Sequence, residues 1–243
     1  MTTSMTDNWP ETLSYDAFLK EIQVSKNALY RSLYLQFVDE FSVKNQRIAV
    51  EKLALIFKAT FRLANTQGFQ AMTLRQLAKE TGLSMGGLYA YIHSKDHLAD
   101  LIYAFLNFFC SESFIKLEDL DQPPEQKLKT IIFSHIYLSE FMQPWFYFAY
   151  MESKNLSRNH KKNAIEAELI TEDKISDVIS LGIKKAVFKN IDATMFAALI
   201  KAMMQDWYLK RWKYQRRKIS VDAFAQQVME VVNDHLSARE NIA

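Results

Sequence analysis

A chain of 243 residues, 49% of them hydrophobic, can bury the core of one large or two small globular domains. Its formal net charge of +2 at pH 7 excludes a generally basic coat for nucleic acid, so any nucleic-acid site must depend on local charge. The single cysteine, Cys110, excludes an internal disulfide, and together with a polar N-terminus that has no signal-peptide pattern it predicts a protein of the reducing cytoplasm.

Residues 1–46 are predicted to form an N-terminal helical extension. Apolar side chains recur at helical spacing between Leu29 and Phe41, with Tyr30, Tyr34 and Val38 beside them. A stripe this wide and aromatic must be buried against another part of the protein.

Residues 47–97 predict a three-helix domain. Arg47 to Thr66 has the spacing of a long amphipathic helix that ends at Gly68. Thr73 is expected to cap a short helix, Gly82 to provide the positive φ of a tight turn, and Ser84 to cap a second helix. This is the pattern of a helix-turn-helix, whose second helix enters the DNA major groove.

Four of the five glycines lie between Gly68 and Gly87. Gly86 and Gly87 fall inside the second helix, where each costs about 1 kcal/mol relative to alanine. Two explanations are open. Either a DNA backbone or base edge approaches the helix closely at these positions, or another helix of the protein does.

Five short runs between Gly68 and Leu98 resemble the DNA-binding domain of the TetR family of transcriptional regulators. The resemblance covers roughly Ile48 to Phe105 and implies an all-α fold, in which a helix-turn-helix DNA-binding domain precedes a helical ligand-binding and dimerisation domain. The family usually has Phe where this chain has Ile92, which is also apolar. The runs are Gly68-Phe69-Gln70-Ala71-Met72-Thr73, Leu77-Ala78, Gly82-Leu83-Ser84, Leu88-Tyr89-Ala90-Tyr91-Ile92 and Ser94-Lys95-Asp96-His97-Leu98.

The resemblance also implies which residues contact DNA. In the family, residues matching Ser84 to Tyr91 lie at the groove, and those matching Thr73, Tyr89 and Lys95 tend to bind phosphates. The expected DNA-binding residues are Thr73, Arg75, Ser84, Met85, Gly86, Gly87, Tyr89, Tyr91 and Lys95.

Local charge agrees with this placement. From Arg47 to Asp100 there are seven Lys or Arg and four Asp or Glu, a local charge of +3. Lys95 follows Ser94, the predicted cap of a further helix, and a cation at a helix N-terminus is unfavourable by about 0.3–1 kcal/mol. A DNA phosphate at this position would remove the conflict, although Asp96 could instead neutralise Lys95 locally.

An internal repeat adds a second candidate for DNA binding. Sliding the chain by 59 places aligns Phe18–Tyr30 with Leu77–Tyr89, and Lys, Glu, Ser, Leu and Tyr coincide. The extension is therefore either a second helix-turn-helix or a pair of ordinary amphipathic helices that supports the DNA-binding domain or the dimer. Gln23 replaces the turn glycine, which weakens the first interpretation. The candidate second DNA-binding residues are Ser25, Lys26, Asn27, Tyr30 and Arg31.

Residues 98–243 are predicted to form the effector-binding and dimerisation domain. A break is expected at Pro123-Pro124, and residues 145–151, WFYFAYM, are predicted to be helical because no partner strand is present. Residues 155–163 are predicted to form an exposed loop, and helices are expected over 164–188, 193–216 and 221–236, the last two capped by Asp192 and Ser220. The first of these helices is either continuous or interrupted near Gly182. Pairing of the last two helices with their symmetry mates, as in the TetR family, implies a homodimer.

An aromatic and methionine-containing set in this domain favours a small lipophilic effector over a sugar or a nucleotide. For each residue the competing interpretation is ordinary core, and the same two interpretations apply to His135. The predicted pocket residues are Phe133, Tyr137, Phe141, Trp145, Tyr147, Met151, Met203 and Trp207.

Together these patterns predict a homodimeric repressor that leaves a pseudo-palindromic operator when its effector binds. The chain has no phosphate-binding glycine loop, metal-spaced Cys or His cluster, or nucleophile motif, so no enzymatic activity, catalytic residue, metal or cofactor is expected. The most apolar run, Leu101 to Cys110, is too short to cross a membrane. The remaining alternative is a helical interaction protein that no longer binds DNA.

Overall fold

The structure is a computed structural model that describes residues 13–22, 25–118, 122–153 and 158–237. Within these ranges the regular structure is α-helical apart from one 3-10 turn, Val38–Glu40, and no strand occurs, so the predicted all-α fold is confirmed. The helices are α1 (Tyr15–Glu21), α2 (Lys26–Gln36), α3 (Gln46–Gln67), α4 (Leu74–Thr81), α5 (Met85–Tyr89), α6 (Lys95–Glu118), α7 (Pro124–Phe141), α8 (Gln143–Glu152), α9 (Arg158–Lys184), α10 (Ala193–Leu209), α11 (Arg211–Arg216) and α12 (Val221–Leu236).

The helices divide into two compact units. The helix-turn-helix unit comprises the described residues within 23–109 and 144–164, and the C-terminal unit comprises those within 1–22, 110–143 and 165–243. This division differs from the predicted boundaries after residues 46 and 97. The extension is split, since α1 belongs to the C-terminal unit and α2 to the helix-turn-helix unit, and most of α8 also joins the latter.

Aromatic side chains build the core of the helix-turn-helix unit around Trp145 of α8. The Trp145 ring stacks on Phe57 of α3 at a centroid distance of 4.9 Å, and it lies 5.2 Å from Phe105 of α6. Tyr30 of α2 contacts the same two rings, Phe57 and Trp145, at 6.4 Å each. The sequence WFYFAYM is thus helical as predicted, but its tryptophan packs beneath the helix-turn-helix.

In the extension, the predicted apolar stripe is buried as expected. Leu29, Leu33 and Phe41 are buried, and α2 packs against α3. Beyond α2, the Phe41 ring lies 6.2 Å from the Tyr91 ring, and the Ser42 N–H donates to the Ala90 carbonyl oxygen at 3.0 Å. The segment therefore supports the helix-turn-helix from inside its own unit.

The C-terminal unit is organised around α7, in which every side chain from Thr130 to Ser139 is buried. Helix α7 packs against α1, α10 and α12. Asp222, at the start of α12, accepts hydrogen bonds from the Tyr15 backbone N–H at 2.8 Å and from the Tyr137 hydroxyl at 2.6 Å. One carboxylate therefore joins α1, α7 and α12.

Ion pairs hold the turn between α10 and α12. The Arg211 guanidinium donates to both oxygens of Glu140 at 2.8 and 2.9 Å and stacks over the Trp207 ring at 4.4 Å. Asp206 binds Lys210 and Lys213. Three of the basic residues near the end of α10 are thus explained by intramolecular partners.

Three secondary-structure predictions for the C-terminal domain need correction. Residues 158–163 of the predicted loop belong to α9, and residues 155–157 lie outside the described residues. The predicted helix 193–216 is interrupted at Lys210, where φ and ψ are −118° and 36°. Gly182 does not interrupt α9. It makes room for Phe188, because a Cβ at position 182 would lie 2.1 Å from that ring.

No helix among the described residues is long and apolar enough to cross a membrane.

Candidate nucleic-acid interface

Local capping and one glycine fix the geometry of the helix-turn-helix. Thr73 Oγ1 accepts from the Gln76 N–H at 3.1 Å while Gln76 Oε1 accepts from the Thr73 N–H at 2.8 Å, a reciprocal capping box at the start of α4. Gly82 ends α4 in the left-handed region at φ +68° and ψ 15°. Ser84 Oγ accepts from the Gly87 N–H at 3.0 Å and so starts α5. These three features are as predicted.

Helix α5 packs against the core with one side and exposes the other side to solvent. Leu88 is fully buried beneath it, whereas Ser84 and Gly86 are exposed and Met85 and Gly87 are partly exposed. A Cβ built on Gly86 would meet no atom within 4 Å, and one on Gly87 would meet only its own turn, the Ser84 Oγ at 3.2 Å and the Leu83 Cβ at 4.0 Å. Packing against another helix within the described chain therefore does not explain these glycines.

The two tyrosines predicted to contact DNA differ in exposure. Tyr89 is 46% exposed, which leaves its ring accessible. Tyr91 is 3% exposed, and burial, together with the nearby Tyr34 hydroxyl, raises the pKa of its own hydroxyl. The prediction for Tyr91 is corrected: its ring packs on Phe41 and holds the end of the helix-turn-helix.

Lys95 has an internal partner that the sequence did not predict. Its Nζ donates to the Gln70 carbonyl oxygen at 2.7 Å and lies 5.3 Å from the centre of the Phe69 ring. This contact brings the start of α6 to the loop before α4. The ammonium retains two further N–H groups, so its predicted phosphate contact stays a prediction.

Arg75 is exposed in the first turn of α4 and makes no ion pair with any of the described residues, in contrast to Arg62 of α3, which is paired with Glu80. Thr73 is also exposed, but its hydroxyl already takes part in the capping box. Of the two predicted DNA-binding residues that carry a charge, Arg75 and Lys95, Arg75 is the less involved in the fold.

The candidate second DNA-binding helix is less open than α5. Ser25, Asn27 and Arg31 are exposed, and the Ser25 Oγ accepts from the Ala28 N–H at 3.2 Å as the predicted N-cap. Tyr30, however, is 5% exposed, and burial raises the pKa of its hydroxyl to about 12. The DNA-contact prediction for Tyr30 is corrected, and both Gln23 and the Lys26 side chain lie outside the described residues.

One link between the extension and the helix-turn-helix escaped prediction. His97 Nδ1 accepts from the His93 backbone N–H at 3.1 Å, which leaves Nε2 to donate to Glu40 Oε2 at 2.7 Å. The pair is separated by 57 residues and has no periodic signature. Only Phe41, at the end of the apolar stripe, indicated that this part of the extension is buried.

The predicted pocket residues fall in two units. Trp145, Tyr147 and Met151 lie in the helix-turn-helix unit, where Trp145 is core and Met151 is exposed. Their assignment to the interior of the effector domain is corrected, because an apolar run after a proline does not reveal which core it joins. The other five belong to the C-terminal unit, where Phe133, Tyr137 and Trp207 are buried and Phe141 and Met203 are partly exposed.

Two polar side chains of the same unit, Lys201 and His135, are buried; core was one of the two interpretations of His135 from the sequence, whereas the burial of Lys201 was not predicted. Lys201 of α10 is 4% exposed, and its Nζ lies 3.5 Å from Glu168 Oε2. Burial and the Lys201 charge hold the pKa of His135 well below its usual value, so this histidine is neutral at pH 7. The sequence signal for Lys201 was a lysine four residues after Ala197 and three before Met204, within an apolar stripe.

Two family models match the chain: bacterial regulatory proteins of the tetR family over residues 56–102, and a tetracyclin repressor-like C-terminal domain over residues 121–236. The chain belongs to the TetR family. The resemblance seen in the helix-turn-helix is thereby confirmed and extends through the C-terminal domain, while residues 1–55 lie outside both matches.

Relatives with the same organisation are distant. The HTH-type transcriptional regulator HbdR of Aromatoleum sp. (strain CIB) is 21% identical over 202 residues, which cover 83% of this chain and 88% of HbdR. AibR, solved in complex with isovaleryl coenzyme A and operator DNA, gives a TM-score of 0.63 at 17% identity, covering 74% of this chain and 97% of AibR. FadR from Bacillus subtilis, solved in complex with stearoyl-CoA, gives 0.57 at 16% identity, covering 75% and 98%. At these identities the solved structures show a shared fold.

Proposed function

We propose that this TetR family member is a homodimeric repressor in the cytoplasm. Its two copies of α5 bind a pseudo-palindromic operator, and an acyl-bearing lipophilic molecule in the C-terminal unit releases it. The observation that carries the DNA-binding part is the open face of α5, where Gly86 has no neighbour within 4 Å of a built Cβ.

The two glycines of α5 lower the stability of the helix and therefore require a physical explanation. Each glycine inside a helix costs about 1 kcal/mol relative to alanine, and neither Gly86 nor Gly87 has a positive φ that would require it. Since no other helix of the described chain fills the space, an external surface that approaches the α5 backbone is the remaining physical reason. A duplex groove is such a surface, and the exposed Tyr89 and Arg75 offer it a hydroxyl and a charge.

Exposed apolar side chains on α10 and α12 support the homodimer. Met195 and Leu199, four residues apart on α10, are 60% and 55% exposed, and Val231 of α12 is 44% exposed. Apolar side chains on neighbouring helices are stabilised when a symmetry mate covers them. A two-fold dimer would place two α5 helices about one DNA turn, roughly 34–36 Å, apart.

The choice of effector rests on two points. The C-terminal unit contains buried aromatic side chains such as Phe133 and Tyr137, which suit an apolar ligand. Two proteins of the same fold, AibR and the Bacillus subtilis FadR, were solved with acyl-CoA molecules. An effector acts by binding the DNA-incompetent state more tightly, so effector and operator must weaken one another by the same factor.

The salt dependence of binding to the DNA upstream of the protein's own reading frame tests the proposal. We expect the logarithm of the association constant to fall linearly with the logarithm of salt concentration, as phosphates are neutralised. Arg75→Ala should reduce the magnitude of the slope by about one. The matched control is Arg31→Ala, which removes an exposed arginine from α2 and should leave the slope unchanged.

A protein that binds no DNA with a salt-dependent affinity, in either the wild type or the control, would be the helical interaction protein instead. Equal slopes for the wild type and Arg75→Ala would remove α4 and α5 from the interface.

A further inference from the structure

Lys201 occupies a position in α10 that an apolar residue would normally take. Ala197, Met204 and Tyr208 share its face of the helix, and all three are buried, two of them completely. Lys201 itself is 4% exposed and is the only buried lysine or arginine among the described residues. The charge therefore lies in the interior of the C-terminal unit, not on its surface.

Polar groups near Lys201 come from several helices, and among the described residues only Glu168 lies within ion-pair distance of its ammonium. Its Nζ lies 3.5 Å from Glu168 Oε2 of α9, and the other oxygen of Glu168 accepts a hydrogen bond from Gln205. Burial and the adjacent Glu168 carboxylate raise the pKa of Glu172, one turn further along α9. Besides the larger effect of burial, the Lys201 charge acts to lower the pKa of His135 of α7 and of Cys110 of α6, which places both side chains near it.

These partners satisfy the ammonium poorly. Glu168 is a partly exposed carboxylate at a distance longer than a strong charge-assisted hydrogen bond, and it is shared with Gln205. Burial accordingly lowers the pKa of Lys201 despite the carboxylate beside it. Replacing a buried ion pair by apolar side chains is often neutral or stabilising, so stability alone does not account for this lysine.

The neighbouring helix contributes buried polar groups to the same interior. His135 is neutral, so it adds no positive charge that would compete with Lys201 for an anion. The adjacent Ser134 is 3% exposed, and its hydroxyl has no hydrogen-bond partner among the described residues. A few polar groups within a mostly apolar, aromatic interior are what a ligand site uses to orient the polar end of an apolar ligand.

We propose that Lys201 binds the carbonyl end of an acyl effector, whose oxygen replaces Glu168 as the partner of the ammonium. The proposal rests on the proposed effector response and specifies its chemistry. The ligand is an acyl chain that ends in a carboxylate or a thioester carbonyl, with the chain among the aromatic side chains of the unit. The carboxylate offers the ammonium a charge-assisted hydrogen bond, and the thioester carbonyl offers it a neutral acceptor oxygen, whereas a hydrocarbon with a terminal alcohol has neither group.

Calorimetric titration of the full-length protein tests this with three probes of equal chain length: dodecanoate, dodecanoyl-CoA and dodecan-1-ol. The wild type should bind at least one acyl probe at least tenfold more tightly than the alcohol. The acyl probe that binds more tightly distinguishes a free acid from a thioester as the source. Lys201→Met keeps an unbranched side chain that is one atom shorter and has no charge, and it should weaken acyl binding at least tenfold while leaving binding of the alcohol unchanged.

A second variant predicts the opposite sign. Glu168→Gln removes the competing carboxylate and should tighten acyl binding severalfold. If Lys201 and Glu168 only stabilise the C-terminal unit, both Lys201→Met and Glu168→Gln should bind the acyl probes more weakly, because each variant loosens the unit. The control is Lys185→Gln, which removes an exposed lysine after α9 and should change none of the three affinities. The melting temperature of ligand-free Lys201→Met should be unchanged or higher.

The outcomes separate this inference from the proposed function. Suppose that Lys201→Met and Lys201→Gln bind the acyl probes as tightly as the wild type does, and that the probes release all three proteins from DNA. The proposed repressor function is then retained, and Lys201 is not the partner of the ligand. If ligand-free Lys201→Met melts at a lower temperature while Lys201→Gln retains full acyl affinity, Lys201 has a structural role. If the wild type binds no acyl probe, the inference and the proposed acyl effector both fail.

Discussion

Helices α2 and α5 begin with the same local pattern 59 residues apart, but the tyrosine of that pattern is buried in α2 and exposed in α5. In both, a serine side chain caps the helix by accepting from the N–H three residues later, Ser25 from Ala28 and Ser84 from Gly87. In both, the leucine four residues after the cap is buried, Leu29 at 4% exposure and Leu88 at 0%. These shared features are what a short helix needs to start and to attach to a core.

The helices differ in what surrounds the remaining side chains. Tyr30 is buried beside the stacked rings of Phe57 and Trp145, while the equivalent Tyr89 is 46% exposed. Asn27 in α2 corresponds to Gly86 in α5, where a backbone without side chains is presented to solvent. A repeated pattern therefore indicates a repeated local fold. The packing of α2 on α3 gives the extension a supporting role at Tyr30, which agrees with the proposal that α5 and not α2 binds DNA.

The largest expected effect separates the two helices at equivalent positions. Gly86→Leu should abolish most operator binding, lowering affinity by about 100-fold or more, because a side chain would stand where the groove must approach. The fold should survive, since a Cβ at the exposed position 86 meets no atom within 4 Å and replacing the glycine improves helix propensity by about 1 kcal/mol. Asn27→Leu is the matched change in α2 and should leave affinity within about twofold, as for a surface residue without a role in binding.

Fluorescence anisotropy with the upstream DNA measures both affinities, and thermal melting checks that both variants fold. A loss of affinity in Asn27→Leu equal to that in Gly86→Leu would indicate that α2 also contacts DNA. Retained affinity in Gly86→Leu would contradict the close approach of DNA to α5.

For stability, we expect the larger effect from a substitution in α2 and the smaller effect from the equivalent substitution in α5. Tyr30→Ala removes a fully packed aromatic ring and should lower the free energy of unfolding by about 3 kcal/mol or more. Tyr89→Ala should change that free energy by no more than about 0.5 kcal/mol but weaken operator binding by about tenfold. Urea unfolding and anisotropy on the same two variants give the four numbers. A Tyr30→Ala variant with unchanged stability and reduced DNA affinity would instead indicate that Tyr30 contacts DNA.

The smallest effects concern the two caps. Ser25→Ala and Ser84→Ala should each lower stability by about 1 kcal/mol, because each leaves one helix N–H without its acceptor. Only Ser84→Ala should also weaken DNA binding, by a few-fold, since it loosens the helix that carries Gly86. Equal losses of affinity in the two variants would mean that the extension and α5 act on DNA together.

Much of the helix-turn-helix could be predicted because its determinants are local. The Thr73, Ser84, Asp192 and Ser220 caps and the left-handed Gly82 depend on residues three or four positions away, and all are present as expected. The TetR assignment followed from the same stretch.

Long-range partners could not be predicted. Nothing in WFYFAYM indicates that Trp145 packs on Phe57, 88 residues earlier, instead of in the effector domain. The basic stretch from 158 is helical because α9 continues through it, and polar composition alone suggested a loop. Lys201 was overlooked because a lysine within a helix is ordinarily assigned to the solvent side.

The claim that α5 alone contacts the operator is tested most directly by photo-crosslinking from one exposed position of each helix. Benzoylphenylalanine introduced at position 89 and, separately, at position 27 places the same reactive group on the exposed side of each helix. Irradiation with the upstream DNA should give a crosslink from position 89 and none from position 27. A crosslink from position 27, or none from position 89 in a variant that still binds, would contradict the account.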